Sequence, residues 1–129
     1  MTCHKTWTRR AVIAALLGLA TLHPAAASPS PFEQKLIDQL IREVGEMRDV
    51  VFIRNGSEYS AHDAEAHLRD KMDYFKDDIH TAEDFIRLCA TRSEMTGASY
   101  KIRDASGHVH ESAVFLKARL DQLRASAVH

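Results

Sequence analysis

The N-terminal segment limits what this 129-residue chain can fold into, because it has the pattern of a cleavable export signal. A basic opening precedes an uncharged apolar stretch, residues 11–22, and small residues follow at 25–27. That stretch is about a dozen residues, whereas a membrane-spanning helix needs roughly twenty. We therefore expect cleavage near Ala27, a periplasmic location and one folded domain over residues 28–129.

The positions of the cysteines and of two adjacent arginines bear on lipid anchoring and on the export route. A lipoprotein needs a cysteine at the cleavage point, but Cys3 lies inside the signal and Cys89 lies far beyond it. We therefore predict no lipid anchor and no stable membrane anchor. Adjacent Arg9 and Arg10 are compatible with the general and the twin-arginine export routes. After cleavage, Cys89 has no second cysteine for an internal disulfide. Its thiol is therefore either buried, which we favour, or paired with a second chain.

The charge balance after cleavage constrains the classes of partner. Residues 28–129 contain fourteen basic and eighteen acidic side chains, a net charge of −4. Nucleic-acid binding needs a clustered basic face, and docking on anionic lipid needs similar charge. We therefore expect neither nucleic acid nor a charged membrane surface as a partner.

Hydrophobic periodicity predicts four helices in the mature region. Apolar residues recur at three- and four-residue spacings, and Ser or Thr precedes each of the last three helices as a predicted N-cap. The predicted helices are 32–47, 61–75, 82–92 and a final helix capped by Ser112. Cys89 lies on the apolar face of the third helix, which is why we expect its burial.

The segments between these helices have the patterns of short strands. Residues 50–53 are β-branched or aromatic, and Asn55-Gly56 follows as a tight-turn signal. Residues 100–103 alternate, a turn follows, and 108–110 would form the second arm of a hairpin. We therefore predict a single α+β domain of about four helices with either a small antiparallel sheet or two β-hairpins.

Several spaced motifs along residues 28–129 resemble a known family. These motifs are Phe52-Ile53-Arg54-Asn55-Gly56, His67-Leu68-Arg69 with Lys71, Thr81-Ala82-Glu83 with Phe85-Ile86, and Ser93, Thr96-Gly97 and Tyr100. In this order they resemble the YfeK-type family of small exported bacterial proteins, which have a domain of unknown function. The chain departs from the family pattern at Ala98-Ser99, where a Lys-Pro pair is typical. The resemblance implies an exported protein and assigns no substrate or catalytic residue.

Candidate binding residues lie in two of these motifs. The Asn-Gly turn requires Asn55 for its conformation, but nothing in the turn requires a cation at Arg54. His67 borders the apolar face of its helix, from which it could reach Tyr59 or Glu83. The predicted residues for binding an anionic ligand or a partner are Arg54, Asn55, Tyr59, His67 and Lys71.

Two further histidines raise the question of a metal. His108 and His110 alternate on a predicted strand, so both imidazoles would lie on one side, roughly 6.5 Å apart along the chain. A third ligand from elsewhere would complete a transition-metal site. The simpler interpretation, which we favour, is a pair of exposed polar residues on a hairpin edge. We predict no cofactor.

The sequence contains none of the common catalytic motifs for acyl transfer, phosphate binding or zinc hydrolysis. We therefore favour a non-enzymatic module of the cell envelope that binds an envelope protein or a small anionic ligand. The alternative is a small hydrolase or metal-binding protein that uses His67 or the pair His108 and His110. A deep pocket where Arg54, Tyr59 and His67 converge would favour an enzyme, and an exposed apolar patch would favour protein interaction.

Overall fold

The structure is a computed structural model that describes Gly18 and residues 28–128. The expected export signal, apart from Gly18, lies outside the described residues. The helices are α1 (Pro31–Glu46), α2 (Ala61–Tyr74), α3 (Ala82–Cys89) and α4 (Ser112–Ala127). The strands are β1 (Val51–Arg54), β2 (Ser57–Tyr59), β3 (Lys101–Arg103) and β4 (Val109–Glu111). The predicted α+β class is confirmed, and none of the described helices is long and apolar enough to cross a membrane.

The strands form one antiparallel sheet rather than two separate hairpins. Their order is β2-β1-β3-β4, so the two hairpins join where β1 pairs with β3. Phe52 lies opposite Tyr59 on one side and Ile102 on the other. Because side chains alternate along a strand, these three residues share the inner face of the sheet, which packs towards the helices. Arg54, two residues after Phe52, belongs to the same face.

The predicted Asn-Gly turn connects β1 to β2. Asn55 and Gly56 both have positive φ, 51° and 77°, as a two-residue hairpin loop of type I′ requires. The Asn55 side chain then fixes the turn to a neighbouring loop: its amide donates to Ser93 Oγ at 3.2 Å and its carbonyl accepts from Thr96 Oγ1 at 2.5 Å. Arg54, the last residue of β1, is therefore held in a defined position.

Local hydrogen bonds start the middle helices where the sequence predicts. Ser60 Oγ accepts from the Asp63 backbone N–H, and Thr81 Oγ1 accepts from that of Asp84, each at 3.1 Å. The predicted cap of α4 is wrong. Ser112 is the buried first residue of that helix, and its backbone N–H donates to the Tyr100 carbonyl at 2.9 Å. The strand β4 leads directly into α4, so pairing with β3 replaces a side-chain cap.

Helix α3 is shorter than predicted, because the chain after Ala90 forms backbone hydrogen bonds with the segment that precedes β3. The Tyr100 backbone N–H donates to the Thr91 carbonyl at 2.9 Å, and Arg92 forms an isolated antiparallel bridge with Ser99. These backbone bonds compete with the continuation of the helix. The consequence is a short connection that places Tyr100 beside the end of α3.

The hydrophobic core lies where α1, α3 and α4 pack together. Its fully buried side chains include Leu40, Phe85 and Leu120, one from each helix. Cys89 is buried in the same cluster as predicted, and burial raises the pKa of its thiol to about 12. The thiol therefore stays protonated and packs as a small apolar group. Phe32, at the start of α1, is 49% exposed and does not belong to this cluster.

An ion-pair cluster joins the same three helices at one end, and we call it the Arg124 clamp. Arg124 of α4 pairs with Glu33 of α1 at 3.0 Å and with Glu83 of α3. Glu33 also accepts the backbone N–H of Ala82 at 2.6 Å, which satisfies a donor at the start of α3. The hydrogen bond from Arg124 holds the pKa of Glu83 below its usual range.

Candidate functional site

A cavity of about 510 Å³ lies between α2 and the inner face of the sheet. The polar residues at its wall include Arg54, Tyr59, His67 and Tyr100. The apolar residues at its wall include Val44, Phe52, Leu68, Ile102 and Leu116. Its volume is within the roughly 300–1,000 Å³ of small-molecule sites in proteins. The cavity therefore has the size and mixed lining of a ligand site.

Arg54 lies at this cavity, and the hydrogen-bond partners of its guanidinium are neutral side chains. Its Nη1 is 2.6 Å from His67 Nδ1, and its Nη2 donates to Tyr59 Oη at 3.3 Å. The guanidinium carbon lies 4.8 Å from the centre of the Tyr59 ring, a cation–π contact. Within residues 28–128, no carboxylate oxygen lies within 4.0 Å of the guanidinium nitrogens. Arg54 is half-buried, so its charge is also partly removed from water.

The hydrogen bonds around His67 assign its tautomer. A guanidinium can only donate, and Arg54 Nη1 lies 2.6 Å from Nδ1 and 3.2 Å from Nε2 of His67. We assign the nearer nitrogen, Nδ1, as the acceptor, which places the proton on Nε2. Nε2 then donates to Tyr100 Oη at 3.1 Å, and Lys71 Nζ donates to the same oxygen at 3.4 Å. With both lone pairs engaged, the Tyr100 hydroxyl hydrogen has no acceptor among residues 28–128. It is a buried donor at the cavity wall.

Electrostatics keep His67 neutral. Burial is the largest cause, and the positive charges of Arg54 and Lys71 add to it, so the pKa of His67 is lowered to about 4. Asp70 acts in the opposite direction and raises the pKa. At neutral pH the imidazole is therefore uncharged, in agreement with the acceptor role of Nδ1.

The structure brings together three of the five predicted binding residues, Arg54, Tyr59 and His67, at the cavity wall. The expectation that His67 reaches Tyr59 or Glu83 is wrong. The Arg54 side chain bonds to both His67 and Tyr59, and Glu83 belongs to the Arg124 clamp. Asn55 bonds to the loop at Ser93 and Thr96 and does not line the cavity.

Lys71 lies behind the cavity wall rather than in it. Its ammonium donates to the Arg92 carbonyl at 3.0 Å and lies 3.6 Å from the carboxylate of Glu94. Lys71 is only 8% exposed, and its contact with the Tyr100 hydroxyl connects it to the cavity. In contrast to Arg54, this buried cation has a carboxylate partner.

His108 and His110 lie together at the opposite edge of the sheet, on either side of Asp104. His110 Nε2 is 2.9 Å from one carboxylate oxygen, and His108 Nδ1 is 3.9 Å from the other. His108 precedes β4, so strand alternation does not relate the two rings as we predicted. Hydrogen bonds from Ser106 and His110 hold the pKa of Asp104 well below its usual range. In the part of the chain that the structure describes, no group of three or more His, Cys, Asp or Glu residues has the geometry to hold a metal ion.

Tyr100 is a hydrogen-bonded residue of the cavity wall that sequence reasoning did not select as a binding residue. A usable signal was present, because Tyr100 and Ile102 alternate on the predicted strand and therefore share a face. What was missing was the pairing of β3 with β1, which brings that face beside Arg54. The apolar residues Phe52 and Leu68 were missed for the same reason, since each looks like an ordinary core position.

Comparison with known proteins places the chain in a family. Residues 31–124 match a family of unknown function, DUF5329. The chain is also 32% identical to the uncharacterized protein YfeK of Salmonella typhimurium strain LT2 over 89 residues, which are 69% of this chain and 74% of that protein. No solved structure matches the chain. The resemblance to the YfeK-type family is confirmed, and the chain belongs to the DUF5329 family of unknown function.

Proposed function

We propose that this protein is an exported, non-enzymatic binding module that holds a small anionic ligand against Arg54 in the cavity between α2 and the sheet. The observation that carries the proposal is the half-buried guanidinium, which is held by His67 and Tyr59 and not by a carboxylate of residues 28–128. The signal pattern of residues 1–27 supports a periplasmic location.

The physical reason is charge compensation. A guanidinium that is partly removed from water loses hydration free energy, and neutral hydrogen-bond partners restore only part of it. An anion at the cavity would supply the missing opposite charge through charge-assisted hydrogen bonds, which are about twice as strong as neutral ones. Arg54 has five N–H donors, of which the contacts to His67 and Tyr59 occupy two. The structure shows no other hydrogen-bond partner of the guanidinium among residues 28–128.

The hydrogen bonds within the site favour binding over hydrolysis. Convergence of Arg54, Tyr59 and His67 in a cavity is the geometry that we expected of an enzyme. However, the Nδ1 lone pair that a general base would use already accepts from Arg54. The buried thiol of Cys89, with its pKa raised to about 12, is also a poor nucleophile. The proposal therefore assigns His67 to positioning Arg54.

A thermal-unfolding screen with simple anions tests the anion site. Formate, acetate, sulfate and phosphate are each added to the wild-type protein, to Arg54→Gln and to Arg103→Gln. Arg103 is the matched control, because it is also a strand arginine but pairs with the exposed Glu58 on the other face of the sheet. A ligand at a hundred times its Kd stabilises the folded state by about 2.7 kcal/mol.

We expect at least one anion to stabilise the wild-type protein and the Arg103→Gln variant but not the Arg54→Gln variant. Equal stabilisation of all three proteins by every anion, or stabilisation of none, would contradict an anion site at Arg54. The periplasmic location has a separate test, which is N-terminal sequencing of the protein from a periplasmic fraction. A chain that begins near Ser28 is the expected result, and an intact N-terminus in the cytoplasm would contradict it.

A further inference from the structure

We propose that the ligand is an amphiphilic monoanion, a carboxylate with an unbranched apolar chain of about eight to twelve carbons, in a cavity of the size given above. This step rests on the proposed anion site at Arg54 and adds the chemical class of the rest of the ligand.

The polarity of the wall divides the cavity into two parts. Four polar side chains of the wall are connected by hydrogen bonds and form one polar group: Arg54, Tyr59, His67 and Tyr100. The apolar part includes Phe52 and Ala64, which are half-buried, and Leu68, Ile102 and Leu116, which are buried. A wholly polar ligand would leave the accessible surface of Phe52 and Ala64 in contact with water, and a wholly apolar ligand would leave Arg54 without an opposite charge. An amphiphile satisfies both parts.

The surrounding charges favour a single negative charge on the ligand. Besides Arg54, the cavity wall includes three exposed charged residues, which are Asp63, Asp70 and Lys101. Two carboxylates thus oppose two cations, so the wall has no excess positive charge to balance a second negative charge on the ligand. A phosphate monoester carries about −1.5 to −2 charges at neutral pH, whereas a carboxylate carries one. The charge at Arg54 therefore matches a carboxylate better than a phosphate.

The donor geometry also fits a carboxylate. The guanidinium of Arg54 is planar and presents its N–H groups as a fork, which matches the two oxygens of a carboxylate. The Tyr100 hydroxyl adds a further donor, because its oxygen already accepts from His67 and Lys71. Together these groups can satisfy more than one oxygen of the head group.

The volume of the cavity sets the length of the chain. A water molecule takes about 30 Å³ of liquid volume, so 510 Å³ corresponds to about seventeen water-sized groups. Decanoate has about a dozen non-hydrogen atoms and would occupy most of this space. Much longer chains would extend into solvent and gain little further affinity.

The test is calorimetric titration of the purified protein with acetate, hexanoate, octanoate and decanoate, each below its micellar concentration. We expect affinity to rise about fourfold for each added methylene that is buried, and to level off beyond decanoate. Arg54→Gln is expected to weaken decanoate binding at least tenfold, and the Arg103→Gln control is expected to leave it unchanged. Ala64→Leu, which places a larger side chain at the cavity wall, is expected to weaken decanoate binding and to leave acetate binding unchanged.

The alternative outcomes separate this ligand class from the anion site itself. Arg54-dependent acetate binding without any effect of chain length would overturn the amphiphile and leave the anion site standing. Equal binding of decyltrimethylammonium and decanoate would overturn the carboxylate head group, and tighter binding of decyl phosphate than of decanoate would overturn the single charge. If none of these probes binds, and no simple anion stabilises the protein through Arg54, both proposals fail.

Discussion

Two arginines in partly buried positions show how differently the two ends of this protein use charge. Arg124 lies between Glu33 and Glu83, and its guanidinium joins three helices through these carboxylates. Arg54 lies at the cavity with only Tyr59 and His67 as hydrogen-bond partners among residues 28–128. A partly buried cation with carboxylate partners keeps its charge compensated, whereas one without an opposite charge reduces stability unless a ligand supplies it. The comparison teaches that the charge of Arg124 is compensated within the fold, whereas the charge of Arg54 is not compensated by a carboxylate of residues 28–128.

Packing also differs between the two regions and is tighter in the helical core than at the cavity. Around Phe85 the core of α1, α3 and α4 is closed, with Leu40 and Leu120 fully buried. Between α2 and the sheet, by contrast, the chain leaves a cavity of about 510 Å³. Phe52, at the boundary, packs against the core on one side and lines the cavity on the other. A cavity of this size reduces van der Waals contact among the protein's own side chains and therefore has a cost in stability.

The largest expected difference between the two regions comes from truncating one phenylalanine in each. Phe85→Ala is expected to lower the free energy of unfolding by about 3–5 kcal/mol, because it opens a hole in a closed core. Phe52→Ala is expected to lower it by only about 1–2 kcal/mol, because this ring is half-buried and faces an existing cavity. Urea denaturation of both variants measures the two values. Equal losses would show that the cavity is closed in solution.

The two arginines provide the second comparison. Arg124→Met is expected to lower the free energy of unfolding by about 1–2 kcal/mol, a value reduced for the partial exposure of the clamp. Arg54→Met is expected to leave it within about 0.5 kcal/mol or to raise it, because the change removes a charge without a carboxylate partner. Both variants are measured by urea denaturation without added anions. A larger loss for Arg54→Met than for Arg124→Met would contradict the division between the two ends.

The pH dependence of stability reports on the cavity through His67. The unfolded state takes up a proton as the pH falls through 6.5, but folded His67 does so only near its lowered pKa of about 4. The contribution of His67 to the free energy of unfolding is therefore complete above pH 6.5 and is lost as the pH falls towards 4. The loss is about 1 kcal/mol after allowance for the partial exposure of His67. Urea denaturation between pH 7 and 4.5 measures this, with His67→Gln as the reference.

Between pH 7 and 4.5 the Arg124 clamp contributes little to the change in the free energy of unfolding. Glu83 has a pKa lowered from 4.5, so its stabilising effect is present above pH 4.5 and is lost only below it. An identical pH dependence for the wild-type protein and His67→Gln would contradict the assignment of a depressed pKa to His67.

The smallest expected effect comes from filling the cavity. Ala64→Leu is expected to raise the free energy of unfolding by about 0.5–1 kcal/mol, because the new methyl groups pack against the apolar wall. Ala118→Leu, at an exposed position of α4, is the control for the intrinsic helix preference of leucine. Thermal unfolding measures both. A destabilising Ala64→Leu would indicate that the wall at this point has no free space.

Some elements of the fold could be predicted because their causes are local. The starts of α2 and α3 are determined by hydrogen bonds between residues three apart, at Ser60 and Thr81. The Asn55-Gly56 turn depends on backbone conformations that these two residues tolerate better than others. The cap of α4 was predicted wrongly because its cause is not local. Ser112 bonds to the Tyr100 backbone in a neighbouring strand, which no pattern around Ser112 reveals.

By itself, the sequence determined the α+β class, the four helices, the tight turn after Arg54 and the burial of Cys89. These follow from periodicity, capping and turn chemistry, which act within a few residues. Only the tertiary structure decided that the two hairpins form one sheet and that Tyr100 joins Arg54 and His67 at a cavity. It also decided which arginine has carboxylate partners, because both partners of Arg124 lie more than forty residues away along the chain. Such distant contacts depend on how the completed elements pack, and no local pattern encodes them.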